Sequence, residues 1–293
     1  MKKMLMFLLF FILNMLQLYS KCVDMLVFSY DRPMQLDVFL GSLKKYCSGL
    51  DSCYVLYRST SSAFDCGFDK VRARYPEVKF VKQGKNPSED FKPLVLDIIF
   101  KKTLNEYIVF GIDDMVAKDF CDFEHCIKLL EKHNAYAFYL RLGLHIAECY
   151  SARKPQKLPS FANIEDEACK WCFKNGNYEF GYPNDLSMAL YKKSTIKSDL
   201  YHLSYSTPNS LEGGWARLAN LNEYGLFFRK SKMINLPINK VQKDNANHHM
   251  NLHSAHDLLK RYMDGYIIDT RPLHQIRNIG ACIEWHPTFI KKG

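Results

Sequence analysis

The chain has 293 residues, 47% of them hydrophobic, so it is long enough to bury a large core. Its formal net charge of +9 favours anionic partners such as nucleotide phosphates, lipid headgroups or nucleic acid. Because the basic residues are scattered and the sequence has no recognisable nucleic-acid-binding motif, we expect no nucleic-acid partner. The sequence also has no linker-like tract and no internal repeat, which indicates one globular unit.

Residues 1–20 form a segment of their own. Lys2 and Lys3 precede a wholly apolar stretch that is shorter than the ~20 apolar residues needed to span a membrane. We therefore predict a signal peptide, with a short uncleaved membrane anchor as the alternative. Either segment indicates an exported, secretory-lumen or membrane-associated protein, whose single domain would occupy residues 24–293.

Strand-like and helix-like segments alternate over the first half of this domain. The apolar patterns predict strands at residues 25–29, 53–57, 78–81, 107–112 and 135–140. They also predict helices at 34–46 and 68–74, one with Pro93 in its first turn, and one that begins near 123. Such alternation is typical of βαβ units. The predicted fold class is therefore α/β, with a mostly parallel central sheet flanked by helices.

The second half is less regular. Residues 142–180 are rich in turn signals, and we interpret them as a loop or lid insertion. A strand at 186–191 and a helix at 211–221 are predicted after it. Residues 233–293 form a polar, His- and Asn-rich C-terminal extension.

The most informative motif is a pair of carboxylates at the end of an apolar strand. Tyr107 to Ile112 carry no charge, and Asp113 and Asp114 follow at once. In a sheet covered on both faces, ligands bind just beyond the C-terminal ends of the strands. Two aspartates there suit Mn²⁺ or Mg²⁺, which prefer carboxylate oxygen and keep positions open for phosphate. The motif predicts a metal site that handles a nucleotide diphosphate.

Four segments, in this order, resemble the GT-A fold glycosyltransferases, especially the family 2-like group. Residues 27–33 resemble the first strand and loop of that group, and Asp113-Asp114 is similar to its DxD-type motif. Residues 188–193 resemble the strand that borders the acceptor site, and residues 211–218 the helix that carries a Glu-Asp catalytic base. The resemblance implies a single GT-A-like, Rossmann-like domain.

The resemblance also implies an activity. The protein would be a metal-dependent glycosyltransferase that moves a sugar from a nucleotide-diphosphate donor to a hydroxyl acceptor, with inversion. The acceptor would be a glycan, a glycolipid or a protein, carried near a membrane. Glu212 would be the catalytic base, because Gly213 replaces the second acidic residue of the family motif.

The same resemblance assigns the ligand contacts. Asp113 and Asp114 would bind Mn²⁺ or Mg²⁺. The nucleotide and its phosphates would lie against residues that follow the first, second and fourth strands. These residues are Ser29, Tyr30, Arg32, Tyr57, Arg58 and Asp113.

The C-terminal histidines offer further metal ligands. His249 and His253 are four residues apart, so one helix face could present both. Some GT-A enzymes take a metal ligand from a C-terminal histidine, and either residue could serve here. A zinc hydrolase built on these histidines is an alternative function, and the Gly213 substitution motivates another, an inactive nucleotide- or sugar-binding protein.

Overall fold

A nine-stranded sheet lies at the centre of the protein, for which a computed structural model describes residues 22–241 and 252–291. The predicted signal peptide or anchor and His249 therefore lie outside the described residues. The strands of the central sheet are β1 (Val23–Tyr30), β2 (Leu50–Arg58), β3 (Lys79–Lys82), β4 (Tyr107–Ile112), β5 (Ala137–Tyr139), β6 (Phe161–Asn163), β7 (Ala168–Cys172), β8 (Ala189–Lys192) and β9 (Tyr224–Phe228). Their spatial order is β6-β7-β9-β5-β8-β4-β1-β2-β3.

Seven α-helices connect or cover these strands within the described ranges. They are α1 (Pro33–Tyr46), α2 (Ser62–Arg74), α3 (Pro87–Asp97), α4 (Phe123–Lys132), α5 (Lys193–His202), α6 (Pro208–Ala216) and α7 (Ala255–Met263). Short strand pairs join Met115–Ala117 to Met233–Asn235 and Tyr266–Ile268 to Phe289–Lys291. None of the helices in the described part of the chain is both long and apolar enough to cross a membrane.

The first four strands form the parallel half of the sheet. β1 pairs in parallel with β2 on one side and with β4 on the other, so Val27 lies beside both Val55 and Gly111. β8 then inserts in antiparallel orientation between β4 and β5. The C-terminal ends of β1, β2 and β4 consequently meet at one edge, where ligands bind in open α/β sheets.

Both faces of the sheet are buried. In β4, Tyr107 and Val109 pack into the apolar cluster on one face, whereas Ile108 and Phe110 pack into the cluster on the other. This division follows from the two-residue period of a strand. It also explains why the sequence of β4 is continuously apolar.

The α/β prediction is confirmed, with differences at helix ends and in the insertion. Pro93 lies inside α3, because Pro87 occupies the start of that helix, so its predicted place in the first turn is wrong. α6 begins at Pro208, behind a capping box formed by Thr207 and Ser210, and ends at Ala216 rather than near 221. The segment 142–180, interpreted as a loop or lid, also supplies β6 and β7 to the sheet.

Candidate functional site

A cleft of about 790 Å³ opens at the sheet edge where β1 and β4 end. Ser29, Tyr30 and Arg32 line it from the β1 side, and Asp113 and Asp114 line it from the end of β4. The opposite wall comes from α6 and from the segments that precede α6 and β8. The cleft therefore brings Glu212, predicted for catalysis, together with every residue predicted to contact the nucleotide or its phosphates except Tyr57.

A tight turn at the end of β1 directs Arg32 into this edge. Asp31 has a φ of 51°, in the left-handed region that Asn and Asp tolerate better than other non-glycine residues. Its carboxylate accepts hydrogen bonds from the Thr60 backbone N–H at 2.9 Å and the Thr60 hydroxyl at 2.7 Å. The turn is thereby tied to the end of β2, and α1 begins directly after Arg32.

The Arg32 guanidinium bridges the acidic pair. Its Nη1 lies 3.0 Å from Oδ1 of Asp113 and 3.1 Å from Oδ2 of Asp114, and Nη2 donates to the Asn239 carbonyl. The exposed fractions are 7% for Arg32, 3% for Asp113 and 8% for Asp114. This is a buried, charge-assisted cluster with the single positive charge between the two carboxylates.

The remaining carboxylate oxygens also have hydrogen-bond donors. Oδ2 of Asp113 accepts from the Ser29 hydroxyl at 2.9 Å and from the Tyr30 backbone N–H at 3.2 Å. Oδ1 of Asp114 accepts from the Asn235 side-chain amide at 2.5 Å. Burial raises the pKa of Asp113 to about 6; the Asp114 charge adds to the rise, while Arg32 and Ser29 oppose it.

In this arrangement the cation that contacts both carboxylates is the Arg32 guanidinium. Every oxygen of the two carboxylates accepts a hydrogen bond, and Nη1 of Arg32 donates to both carboxylates. Across residues 22–241 and 252–291, no three His, Cys, Asp or Glu side chains are grouped so that they could hold a metal. The Asp113–Asp114 metal site therefore stays a prediction, and the sequence spacing did not reveal that Arg32 contacts both carboxylates.

Of the two predicted histidine ligands, only His253 lies in the described part of the chain, and it is not part of this cluster. His249 lies outside the described residues. His253 lines a smaller cavity of about 400 Å³ together with Asp31 and Phe64, and its ring packs edge-on against Phe289. His253 is not among the residues that line the larger cleft.

Tyr57 and Arg58, the two candidate residues at the end of β2, lie on opposite faces of the sheet. Arg58 lines the cleft, and its guanidinium lies 4.9 Å from the centre of the Tyr30 ring. Tyr57 faces the other side of the sheet, where it packs against Phe68 and accepts a hydrogen bond from Arg72. The prediction that Tyr57 contacts the nucleotide is therefore wrong, because successive residues of a strand point to opposite faces.

Glu212 lies on the opposite wall of the cleft, in a second charged cluster. Its Oε1 accepts a hydrogen bond from the Leu186 backbone N–H at 3.0 Å, and Asp185, the residue before Leu186, lines the same wall of the cleft. Oδ2 of Asp185 lies 2.7 Å from Nη2 of Arg141, and the nearest Glu179 oxygen lies 3.7 Å from the same nitrogen. Two carboxyls thus contact the Arg141 guanidinium, and Glu212 lines the same cleft.

Burial has a large effect on the acid–base properties of this cluster. It raises the pKa of Glu212 to about 8, with the negative charge of Asp185 as the second cause; the Leu186 hydrogen bond and Arg141 oppose the rise. Burial likewise raises the pKa of Glu179, against the charge of Arg141. A carboxyl whose pKa lies near neutrality can exchange a proton at working pH, as a general base must.

Asp185, Arg141 and Glu179 were not predicted from the sequence. The sequence did contain a signal for Arg141 and Asp185. Arg141 follows the predicted strand 135–140, and Asp185 precedes the predicted strand 186–191. Polar residues at strand ends in an α/β sheet are candidates for a ligand site. Glu179 lies in the irregular segment, where no hydrophobic periodicity indicates its position.

Comparisons with known proteins support the resemblance. No family model matches the chain. A bifunctional glycosyltransferase, pgtA, from Dictyostelium discoideum is 25% identical over 194 residues, which are 60% of this chain and 24% of that protein. The chain therefore spans about a quarter of the length of this curated relative.

The fold is also found among solved structures. The crystal structure of GalNAc-T7 with UDP, GalNAc and Mn²⁺ matches with a TM-score of 0.50 at 10% identity, over 82% of this chain and 47% of that one. At this identity the match concerns the fold alone. Together with the mixed sheet and its edge cleft, these findings confirm that the chain has the GT-A fold and resembles glycosyltransferases in sequence.

Proposed function

We propose that this protein transfers a sugar from a nucleotide-diphosphate donor to a hydroxyl group of a glycan, glycolipid or protein acceptor. The observation that carries the proposal is the cleft, in which the ends of β1 and β4 face Glu212, a half-buried carboxyl whose pKa desolvation raises to about 8. The similarity to a curated glycosyltransferase supports it. GalNAc-T7, which shares the fold, was crystallised with UDP, GalNAc and Mn²⁺, and this agrees with a nucleotide-sugar donor.

In this proposal Glu212 accepts the proton of the acceptor hydroxyl. The oxygen then forms a bond to the anomeric carbon as the bond from that carbon to the diphosphate oxygen breaks. The diphosphate leaves with the electron pair, and a single direct displacement inverts the anomeric configuration. A general base of this kind usually contributes ~10²–10⁴-fold to the rate.

The leaving diphosphate needs positive charge beside it. Arg58 lines the cleft and is exposed, so its guanidinium is accessible to a phosphate. Arg32 is the second cleft-lining arginine near the ends of β1 and β4, although Asp113 and Asp114 hold it in the described arrangement. A requirement for Mn²⁺ or Mg²⁺ stays a prediction from the sequence, and we assign no step to a metal.

A two-part experiment tests the proposal. Thermal-shift titrations with UDP, GDP and CDP, with manganese and with EDTA, measure nucleotide binding. Nucleotide release from UDP-GlcNAc, UDP-GalNAc and GDP-mannose, in the presence of simple sugar acceptors, measures turnover. We expect one nucleoside diphosphate to stabilise the protein, and the matching donor to be turned over.

Glu212→Gln separates an enzyme from an inactive binding protein. The variant should bind the same nucleotide but lose at least about 100-fold in turnover, because the amide cannot accept the proton. Asp69→Asn is a suitable control, since Asp69 is an exposed helix residue that pairs with Arg72. Nucleotide binding without turnover of any donor would favour the inactive alternative; the absence of both would contradict the proposal.

The zinc hydrolase alternative has no structural observation in its favour. His253 is not grouped with two further candidate ligands in the described ranges, and His249 lies outside them. Export or membrane association, which the N-terminal segment suggests, remains part of the proposal for the whole protein. Fractionation of cells that express the full chain would test it.

A further inference from the structure

Two tyrosines of the irregular segment line the cleft instead of packing into the core. Tyr178 begins the short 3₁₀ segment Tyr178–Gly181, and Tyr182 follows that segment directly. Phe180, which lies between the two tyrosines, is fully buried and packs edge-on against Trp171. Tyr178 is 39% exposed, and Tyr182 is half-buried. The segment therefore anchors one aromatic ring in the core and presents two others at the cleft.

These two side chains lack the contacts that account for other tyrosines nearby. The buried tyrosines of the sheet, Tyr139 and Tyr191, both donate from their hydroxyls to the Pro183 carbonyl, at 2.6 Å and 2.8 Å. Among the residues that the structure describes, neither the Tyr178 nor the Tyr182 hydroxyl has a hydrogen-bond partner, and neither ring stacks on another ring. Their rings are thus available to a ligand in the cleft.

Buried Gln156 fixes the backbone on both sides of Tyr178. Its Nε2 donates to the Asn177 carbonyl at 3.0 Å, and its Oε1 accepts from the Glu179 backbone N–H at 3.1 Å. Between these two anchors Tyr178 has a φ of 44°, in the left-handed region that is strained for a bulky residue. Such strained residues cluster at ligand sites, where the surrounding structure maintains them. An exposed ring held in this way is a candidate ligand contact.

A series of contacts connects this segment to Glu212. The nearest Glu179 oxygen lies 3.7 Å from Nη2 of Arg141, and the same nitrogen lies 2.7 Å from Oδ2 of Asp185. The next residue, Leu186, donates its backbone N–H to Glu212 at 3.0 Å. The two tyrosines consequently belong to the wall that carries Glu212, across the cleft from the ends of β1 and β4.

The chemistry of this wall suits an uncharged sugar. A pyranose has an apolar C–H face and an edge of hydroxyl groups. Aromatic rings can cover the apolar face, and carboxylates accept hydrogen bonds from the hydroxyls. The wall offers the carboxylates of Glu179 and Asp185, whereas the Arg141 guanidinium is already paired with them. An anionic acceptor, such as a lipid phosphate or a uronic acid, would be repelled.

We propose that Tyr178 and Tyr182 form an acceptor platform, on which an uncharged pyranose lies with its reacting hydroxyl towards Glu212. The inference rests on the proposed transfer reaction, in which Glu212 is the base. It narrows the acceptor to a neutral saccharide, free or carried by another molecule, and excludes a Ser or Thr hydroxyl of a protein. Both tyrosines are specificity-determining residues, because they contact the acceptor and not the bond that breaks.

Acceptor kinetics of the full chain test the platform. With the donor that the protein turns over, nucleotide release is measured against the concentration of each acceptor probe. The probes are the methyl glycosides of glucose, galactose, mannose and N-acetylglucosamine, methyl glucuronide, and a peptide that contains Ser and Thr. We expect a neutral glycoside to accelerate nucleotide release, and the glucuronide and the peptide to leave the rate unchanged.

Substitutions of the two rings should act on the acceptor alone. Tyr178→Ala and Tyr182→Ala should each raise the KM of the neutral glycoside by about three- to tenfold, because the stacking contact is lost, and should leave the KM of the donor unchanged. Tyr178→Phe and Tyr182→Phe keep the ring face and should retain the wild-type KM. Tyr201→Ala is the matched control, because Tyr201 is 43% exposed on α5 and does not line the cleft. This control should change neither KM.

A stability measurement separates ligand contact from a structural role. Glycine tolerates a φ of 44° without strain, so Tyr178→Gly should not lower the melting temperature, although it should raise the KM of the acceptor. A ring that is needed for packing would instead lower the melting temperature when it is removed.

Three results would overturn the inference. The first is that no neutral glycoside accelerates nucleotide release, and the second is that the glucuronide or the peptide is preferred. The third is an acceptor KM within about twofold of the wild type for both alanine variants. If Tyr178→Ala does not fold, Tyr182→Ala alone decides. Failure of the proposed function would look different, because no nucleoside diphosphate would then stabilise even the wild-type protein, and the inference would fall with it.

Discussion

Arg32 offers the sharpest test of how the acidic pair is neutralised. Arg32→Ala would leave Asp113 and Asp114, which are 3% and 8% exposed, without the cation that contacts both of them. Removing one partner of a buried ion pair costs about 3–5 kcal/mol, because the remaining charge stays buried. At 2–4 °C per kcal/mol for a domain of roughly this size, the melting temperature should fall by roughly 10 °C.

The same variant reports on metal binding. If Arg32 occupies the cation position, its removal should open that position, so manganese should stabilise Arg32→Ala more than it stabilises the wild-type protein. Differential scanning calorimetry with manganese and with EDTA measures both effects. A double variant, Arg32→Ala with Asp113→Asn, should lose less stability than the sum of the single losses, because it leaves less unpaired charge.

Arg58→Ala is the matched control. Arg58 lines the same cleft but is exposed, and its guanidinium lies against the Tyr30 ring, so its loss should cost no more than about 1 kcal/mol. Two outcomes would refute the reasoning: a melting temperature for Arg32→Ala within about 2 °C of the wild type, or equal stabilisation of both proteins by manganese.

Three further predictions concern stability. EDTA should not lower the melting temperature of the wild-type protein, since Arg32 already neutralises the pair; a clear drop in calorimetry would contradict this. The pKa of Glu212 is about 8 in the folded protein, which is above its ordinary value in the unfolded chain. The contribution of Glu212 to the free energy of unfolding is therefore lost as pH rises towards 8. Glu212→Gln should remove up to about 1.4 kcal/mol per pH unit of that loss, as measured by urea unfolding at pH 5 and pH 8. Gly213→Ala should stabilise the protein by about 0.5–1 kcal/mol, because the added Cβ in α6 would meet nothing within 4 Å. Gly225→Ala should destabilise the protein by about 1–3 kcal/mol, because the added Cβ would lie 2.4 Å from the buried Trp171 ring. A denaturant titration in which Gly225→Ala is more stable than Gly213→Ala would contradict this description of the packing around the two glycines.

The sequence was sufficient to predict the strands that carry the site. β4 is continuously apolar, β1 is apolar from Met25 to Phe28, and polar residues follow both runs, so their position, their burial and the ligand edge could all be predicted. The same reasoning could have rejected Tyr57. Val55 and Tyr57 alternate with Leu56 and Arg58, so only one of the two polar residues can face the cleft.

The charge pairing could not be predicted in this way. Arg32 reaches Asp113 and Asp114, more than 80 positions away, and the Asn239 carbonyl, 207 positions away. Arg141 and Asp185 are 44 positions apart. Such contacts depend on turn geometry, for example the left-handed Asp31, and on which loops pack together, and neither is encoded in hydrophobic periodicity. The sequence therefore located Asp113, Asp114 and Arg32 but not the ion pairs between them, and it did not indicate the cluster of Arg141, Asp185 and Glu179.

The distribution of charge in the cleft limits how a donor can bind. Acidic side chains outnumber basic ones in the lining of the cleft. The acidic residues are Asp113, Asp114, Glu179, Asp185 and Glu212, and the arginines are Arg32, Arg58 and Arg141. The two buried arginines already contact acids, so an entering diphosphate would add negative charge to a cleft with little free positive charge. Binding must then bring in a cation, take up protons or release Arg32 from the aspartates. The experiments on Arg32 and on Glu212 separate these routes, because manganese competes with the guanidinium at one wall and proton uptake occurs at the carboxyls of the other.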